Sequence, residues 1–151
     1  MLVLTMSLNT VNAQAGALDY LGHTIDGSEL TNEMESIGNY QSVARSTYLH
    51  QGFVRITNNG GGYVGIGAGT ECNVTCGTVK LNVYLERSSG SEDFYSYKKW
   101  ENVDYNTSSL YLNQQVKVEK GYYYRLRGYH SCTKNGVLEN GASRTDGIYI
   151  G

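Results

Sequence analysis

From about residue 50 to the end of the chain, apolar and polar positions alternate with a period of two, the pattern of strands that bury one face. Gly52-Phe53-Val54-Arg55-Ile56-Thr57 runs into Asn58-Asn59-Gly60-Gly61-Gly62, a strong turn signal. Tyr63 to Gly69 then alternates strictly, with Val64, Ile66 and Ala68 on one face and Gly65, Gly67 and Gly69 on the other. Val79, Leu81, Val83 and Leu85 share a face opposite Lys80, Asn82, Tyr84 and Glu86. Phe94 to Val103 predicts an aromatic strand, and Leu110, Leu112, Val116 and Val118 line another inward face. The stretch KGYYYRLRGYHS, residues 120–131, and the closing Gly147-Ile148-Tyr149-Ile150 complete about seven short strands. No strong helical pattern lies between them, and parallel pairing needs long crossovers, usually helical, so the strands are expected to be antiparallel. The expected fold is all-β, an antiparallel two-sheet sandwich of the immunoglobulin or fibronectin III kind over residues 50–151. Residues 16–49 are polar and acidic. Their apolar positions Leu30, Met34 and Ile37 predict at most a short helix over Ser28 to Ile37 within a loosely ordered lead-in.

Composition narrows the class of partner. In 151 residues there are 19 glycines, 14 tyrosines and no proline, and the formal net charge is −2. Nothing in that balance forms the basic footprint that nucleic acid requires. Residues 1–15, MLVLTMSLNTVNAQA, are uncharged, moderately apolar and end in the small-x-small pattern Ala13-Gln14-Ala15. They read as a secretory signal peptide whose natural start lies upstream of Met1. The apolar part is too short to span a bilayer as a helix. The mature protein is therefore expected to be secreted, with no membrane span.

An extracellular location permits disulfides. Cys72 and Cys76 form a C-x3-C, and four extended steps span about 13 Å, whereas bridged Cα atoms lie within about 7 Å. The Cys72–Cys76 disulfide thus requires Asn73-Val74-Thr75 to turn. Cys132 is left over, and its pairing with either of the other two stays open. Three cysteines with no second pair and no His-x-x-His fall short of the four ligands of a structural zinc site, so neither metal nor cofactor is expected.

Other chemistries fare no better. Gly65-Ile66-Gly67-Ala68-Gly69 alternates within a strand, with no helix after it to meet a phosphate, so it predicts a bare sheet face open to close approach by a ring or backbone. No Gly-x-Ser-x-Gly elbow is present. His130 and Cys132, two apart on one strand, are the one conceivable nucleophile–base pair, with no third group to orient the base. Asp146 with Asp104 or Glu139 lacks the ligand run of an EF-hand loop.

The spacing of Val118, Gly121, Tyr124 and Leu126 resembles the entry to strand F of fibronectin III and immunoglobulin-like domains, which marks Tyr124 as a tyrosine corner. Lys120 stands where such domains often carry proline. The alternate residues Tyr123, Arg125, Arg127 and Tyr129 face outward, a row able to stack on sugar rings or grip anions, and equally an ordinary solvated β-face. IDGSELTNE (25–33), RSTYLHQG (45–52), the C-x3-C before TVKLNVYLER (78–87), KGYYYRLRGYHS and TDGIYI (145–150) together resemble a domain-of-unknown-function family of small secreted proteins from Gram-positive bacteria. That resemblance implies a signal peptide and an all-β domain, and carries no activity or site residue. The functional expectation is a secreted, non-catalytic module that binds cell-wall glycan, another extracellular polysaccharide or a surface protein through the Tyr/Arg row. The alternatives are a small hydrolase using Cys132 and His130, and a structural protein that assembles through exposed strand edges.

Overall fold

The protein, seen in a computed structural model, is described over residues 29–41, 46–90 and 93–151. The expected signal segment and the lead-in up to residue 28 lie outside these. The described chain is all-β: β1 (Leu30–Thr31), β2 (Glu35–Gln41), β3 (Leu49–Asn58), β4 (Tyr63–Ser88), β5 (Tyr95–Lys117), β6 (Tyr122–Lys134), β7 (Val137–Arg144) and β8 (Gly147–Ile150). The short helix expected over Ser28 to Ile37 is not formed. Leu30–Thr31 pairs with β8 in parallel, and Glu35–Gln41 pairs antiparallel with β3. Burial decides this, since strand pairing lets Ser36, Ile37 and Gly38 leave solvent together.

The expected two-sheet sandwich is also corrected. All eight strands belong to one curled sheet with the path β1-β8-β6-β4-β3-β2, with β5 added on β4 and β7 on β6. Two runs that read as separate strands, 63–69 and 79–86, are the two ends of the single 26-residue β4. Likewise 94–103 and 110–118 merge into the 23-residue β5. The polar stretches between them look like turns but continue the ladder through an irregularity. Glu71 stands opposite Ser109 and Cys76 opposite Thr107, so β4 takes five steps where β5 takes two. An odd excess moves every later side chain to the other face. It is what lets Val64, Ile66 and Ala68 (even positions) and Val79, Leu81, Val83 and Leu85 (odd positions) all point inward and be buried. Asn106, on β5 opposite this stretch, takes a left-handed φ of 52°.

The front half of β4 carries β3 and then β2 on one edge. The back half carries β6, flanked by β7 and β8. The curl brings these two groups face to face around one core of Val54, Ile56, Ile66, Leu81, Val83, Leu85, Tyr124, Leu126, Ile148 and Ile150. Each fully buried aliphatic side chain there stabilises the fold by about 1.5–3 kcal/mol relative to exposure. A smaller cluster, Leu49, Cys76, Val79 and Cys132, fills the end nearest the irregularity. β6 and β7 are joined by a two-residue turn, Asn135 and Gly136, with φ of 51° and 76°, the left-handed pair that a type I′ hairpin requires.

Facing strands approach so closely that only glycine fits at several crossings. A Cβ on Gly38 would lie 1.9 Å from the carbonyl oxygen of Arg144, and one on Gly52 would lie 2.3 Å from the His130 ring. Gly38→Ala is expected to destabilise the protein by about 3 kcal/mol or more, because rigid backbone opposes it and overpacking alone typically costs about 1–3 kcal/mol. Gly67→Ala, whose Cβ meets nothing nearer than 3.8 Å, serves as the neutral control. Urea unfolding midpoints of the two variants measure the difference.

Candidate functional site

The alternation of β6 places Tyr123, Arg125, Arg127 and Tyr129 on the outer face of the sheet, as the sequence pattern expects. Their guanidinium groups are engaged within the fold. Glu86, on β4 directly opposite Arg125, is buried and accepts from Arg125 Nε at 2.8 Å and from Arg127 Nε at 3.0 Å. Arg125 also lies 3.9 Å from the Phe94 ring centroid and Arg127 4.5 Å from that of Tyr84. Tyr123 packs on Tyr149 with centroids 5.2 Å apart. One carboxylate is shared by two cations, and aromatic faces cover their planes, so the row works as cross-strand cement. Tyr124 points the other way. It is fully buried, its hydroxyl donates to the Glu119 carbonyl at 2.7 Å, and Gly121 between them takes a φ of 88°.

His130 and Cys132 share the inward face of β6, and neither reaches solvent. The Thr70 hydroxyl donates to the Lys80 carbonyl at 3.1 Å, so it accepts from His130 Nδ1 at 2.9 Å; Nε2 then accepts from the Ser143 hydroxyl at 2.7 Å. The imidazole is therefore a neutral tie between β4, β6 and β7, and burial lowers its pKa to about 4. Burial also raises the Cys132 thiol, the opposite of what activates a nucleophile.

The C-x3-C does not close on itself. Cys72, Cys76 and Cys132 are all free thiols, and their sulfurs lie within 4.8 Å of one another. The expected Cys72–Cys76 bridge is not formed, although the irregularity in β4 brings the two sulfurs near each other, and the β4–β6 register sets Cys132 opposite Val79 and so beside them. Next to the cluster, Glu139 accepts from the Ser46 hydroxyl and from the backbone N–H groups of Thr47, Tyr48 and Leu49 at 2.7–2.9 Å. Desolvation works against its charged form, but those four donors prevail and bring its pKa down to about 2. Its carboxylate is thus spent on pinning the entry to β3.

The open part of the outer surface lies over the glycine face of β4. Three rungs cross β3, β4 and β5 there: Phe53–Gly69–Tyr111, Arg55–Gly67–Asn113 and Thr57–Gly65–Gln115. With no side chain in the central column, they enclose a trough of about 500 Å³. Phe53 and Tyr111 lean over Gly69 at one end, and Asn59 lies over Gly65 at the other. Gly67 between them stays uncovered, its nearest neighbour being Arg55 Cβ. The sequence pattern identifies the bare face but not its use. Rings cover Gly69 and the Asn59 amide covers Gly65, so the bare floor is centred on Gly67. Arg55 reaches across to Glu35 on β2 with Nε at 2.8 Å, and the Tyr111 hydroxyl donates to Glu71 at 2.7 Å, so both walls are held in place.

A family model described as a family of unknown function (DUF6147) matches residues 20–147. The chain belongs to this family. No curated protein matches it. The trough and the thiol cluster are therefore features of a DUF6147 chain that its family does not explain. Both escape the sequence reading for the same reason: each depends on which strands are neighbours. The signal for the trough was the glycine column itself, set beside the Phe53-x-Arg55-x-Thr57 and Tyr111-x-Asn113-x-Gln115 alternations. The Asn135-Gly136 pair would likewise have disclosed β7.

In the folded state His130 stays neutral at pH values where the unfolded chain, with its ordinary pKa of 6.5, takes up a proton. Its contribution is full above pH 6.5 and is lost as the pH falls toward 4. Lowering the pH from 7.5 to 5 is expected to reduce stability by about 2 kcal/mol through this group. Glu139 extends the loss below pH 4.5, because its pKa is depressed in the fold. Urea titrations at the two pH values measure the first effect, and His130→Gln should flatten it. An unchanged pH slope in that variant would show that the loss arises elsewhere.

Proposed function

We propose that this protein is a secreted, non-catalytic β-sheet module that binds a neutral glycan chain outside the cell, and that the ligand lies in the trough over Gly67. The observation that carries the proposal is the trough itself. A flat backbone floor is flanked by an exposed tyrosine ring and by planar amide and guanidinium groups. Tyr111 is more than half exposed and offers its face for stacking against a sugar ring. Asn113, Asn59 and Thr57 supply both donors and acceptors for hydroxyl groups. The nearest cation, Arg55, is already paired with Glu35, which favours an uncharged ligand over an anionic one. The non-catalytic part is supported by the sealed His130–Cys132 pair. The secreted part rests on the signal-like residues 1–15 alone. The β6 row, with its arginines spent on Glu86, is the weaker candidate surface.

Gly67→Val separates these surfaces. Its side chain has room, its β-branch suits a strand, and it would stand in the middle of the floor. Retention on insoluble cell-wall glycan and on immobilised neutral polysaccharides should fall by about tenfold or more. The melting temperature should hold, and Arg127→Ser should bind as the wild type does. Equal retention by wild type and Gly67→Val, or no retention by the wild type, would overturn the proposal.

One observation favours a second reading, assembly through strand edges. Among the described residues β5 pairs along one side only, with β4, and Tyr95, Val103 and Tyr105 along it are exposed. A long unpaired edge is a template for another strand. Sedimentation velocity over a concentration series is expected to show reversible association under this reading, and a strict monomer throughout removes it.

A further inference from the structure

Cys72 lies at the end of the β3-paired part of β4, opposite Leu49. Cys76 follows the irregularity, and Cys132 enters from β6. Three positions from two strands thus deliver their sulfurs to one point, each within 4.8 Å of the other two. A single disulfide needs two such positions and leaves the third thiol without a covalent partner. We propose that the three thiols are the ligands of a thiophilic divalent cation of the zinc type, bound by three thiolates with its fourth position open toward the Cys72 side.

The dimensions fit. Metal–thiolate bonds of about 2.3 Å set the sulfurs of such a site roughly 4 Å apart. The triangle needs to contract by less than about 1 Å to reach that spacing. The surroundings fit as well. Cys76 and Cys132 are buried against Leu49 and Val79, while Cys72 is partly exposed, which gives an entry path and room for a water ligand. Among the described residues no imidazole or carboxylate joins the three sulfurs. Soft ligands alone select against magnesium and calcium. Charge decides between soft cations. Three thiolates around a monovalent ion would leave two net negative charges in a largely apolar pocket, whereas a divalent ion leaves one. The Glu139 carboxylate beside the cluster adds to the negative charge felt there, which weighs further against a monovalent ion. Each thiol must give up its proton to bind the cation, so binding displaces protons and tightens as the pH rises. This site is separate from the trough and does not depend on the glycan reading.

The test uses the full chain, reduced and kept free of oxygen, with cobalt(II) as the spectroscopic probe and zinc(II) as competitor. The expected result is one equivalent of cobalt with intense thiolate charge-transfer and tetrahedral ligand-field bands, displaced by zinc. Zinc should also raise the melting temperature, and a chelator should reverse the shift. Cys72→Ser is the informative variant, because its partly exposed position lets the fold survive. It should weaken binding by about 100-fold or more, comparable to the loss of a supporting metal-site residue. Absence of the bands in the folded, reduced wild type overturns the proposal. So does a Cys72→Ser variant that keeps them. A protein isolated with two of the cysteines bridged, which after reduction still takes up no cobalt, would assign the cluster to a disulfide instead.

Discussion

The structure depends on one slip in register. In the β4–β5 hairpin, five steps of one strand oppose two of the other between Glu71 and Cys76. An even slip would have left one of the two apolar runs of β4 facing water. The odd slip turns both inward and lets a single sheet curl over its own core. Everything else is arranged around that point. β3 pairs with β4 on one side of it and β6 on the other, so Val54 and Leu126 come to share a core although they lie in different parts of the sheet.

Closing the curl brings backbone against backbone, and the cost falls on side chains. Gly38 meets Arg144, Gly52 meets the His130 ring, Gly128 meets Val54 and Gly141 meets the Tyr40 ring. His130 occupies one of these crossings and satisfies both of its ring nitrogens there, which explains an uncharged histidine at the centre of the sheet. Glu139 does comparable work at the margin, binding the start of β3 with a carboxylate that takes four donors. The Thr70 bond of His130 and the bonds of Glu139 connect parts of the sheet that have no ladder bonds between them, and the Ser143 bond reinforces the β6–β7 ladder. They also make the fold sensitive to acid.

Glycine has a different role on the outer face. Inside the curl it is required by contact, whereas at Gly67 it leaves space. The same residue type therefore marks both the most crowded and the most open parts of the molecule. The three-thiol cluster follows from the register slip in the same way. The irregular stretch carries Cys72 and Cys76 past the point where the ladder is regular, beside Cys132 of β6.

The sequence by itself determined the all-β class, the inward faces of the runs 64–68, 79–85 and 110–118, the buried Tyr124 and the outward Tyr/Arg row. Each is a local matter of period-two alternation or of a short corner, and a side chain's parity along a strand needs no knowledge of its neighbours. Tertiary structure alone decided that the sheet is single, that Glu35–Gln41 is a strand, that Arg125 and Arg127 are consumed by Glu86, and that the three cysteines meet. All four depend on which residues stand opposite one another across long separations. Pairing and register are set by the summed burial of the whole core, so no short window of the sequence contains them.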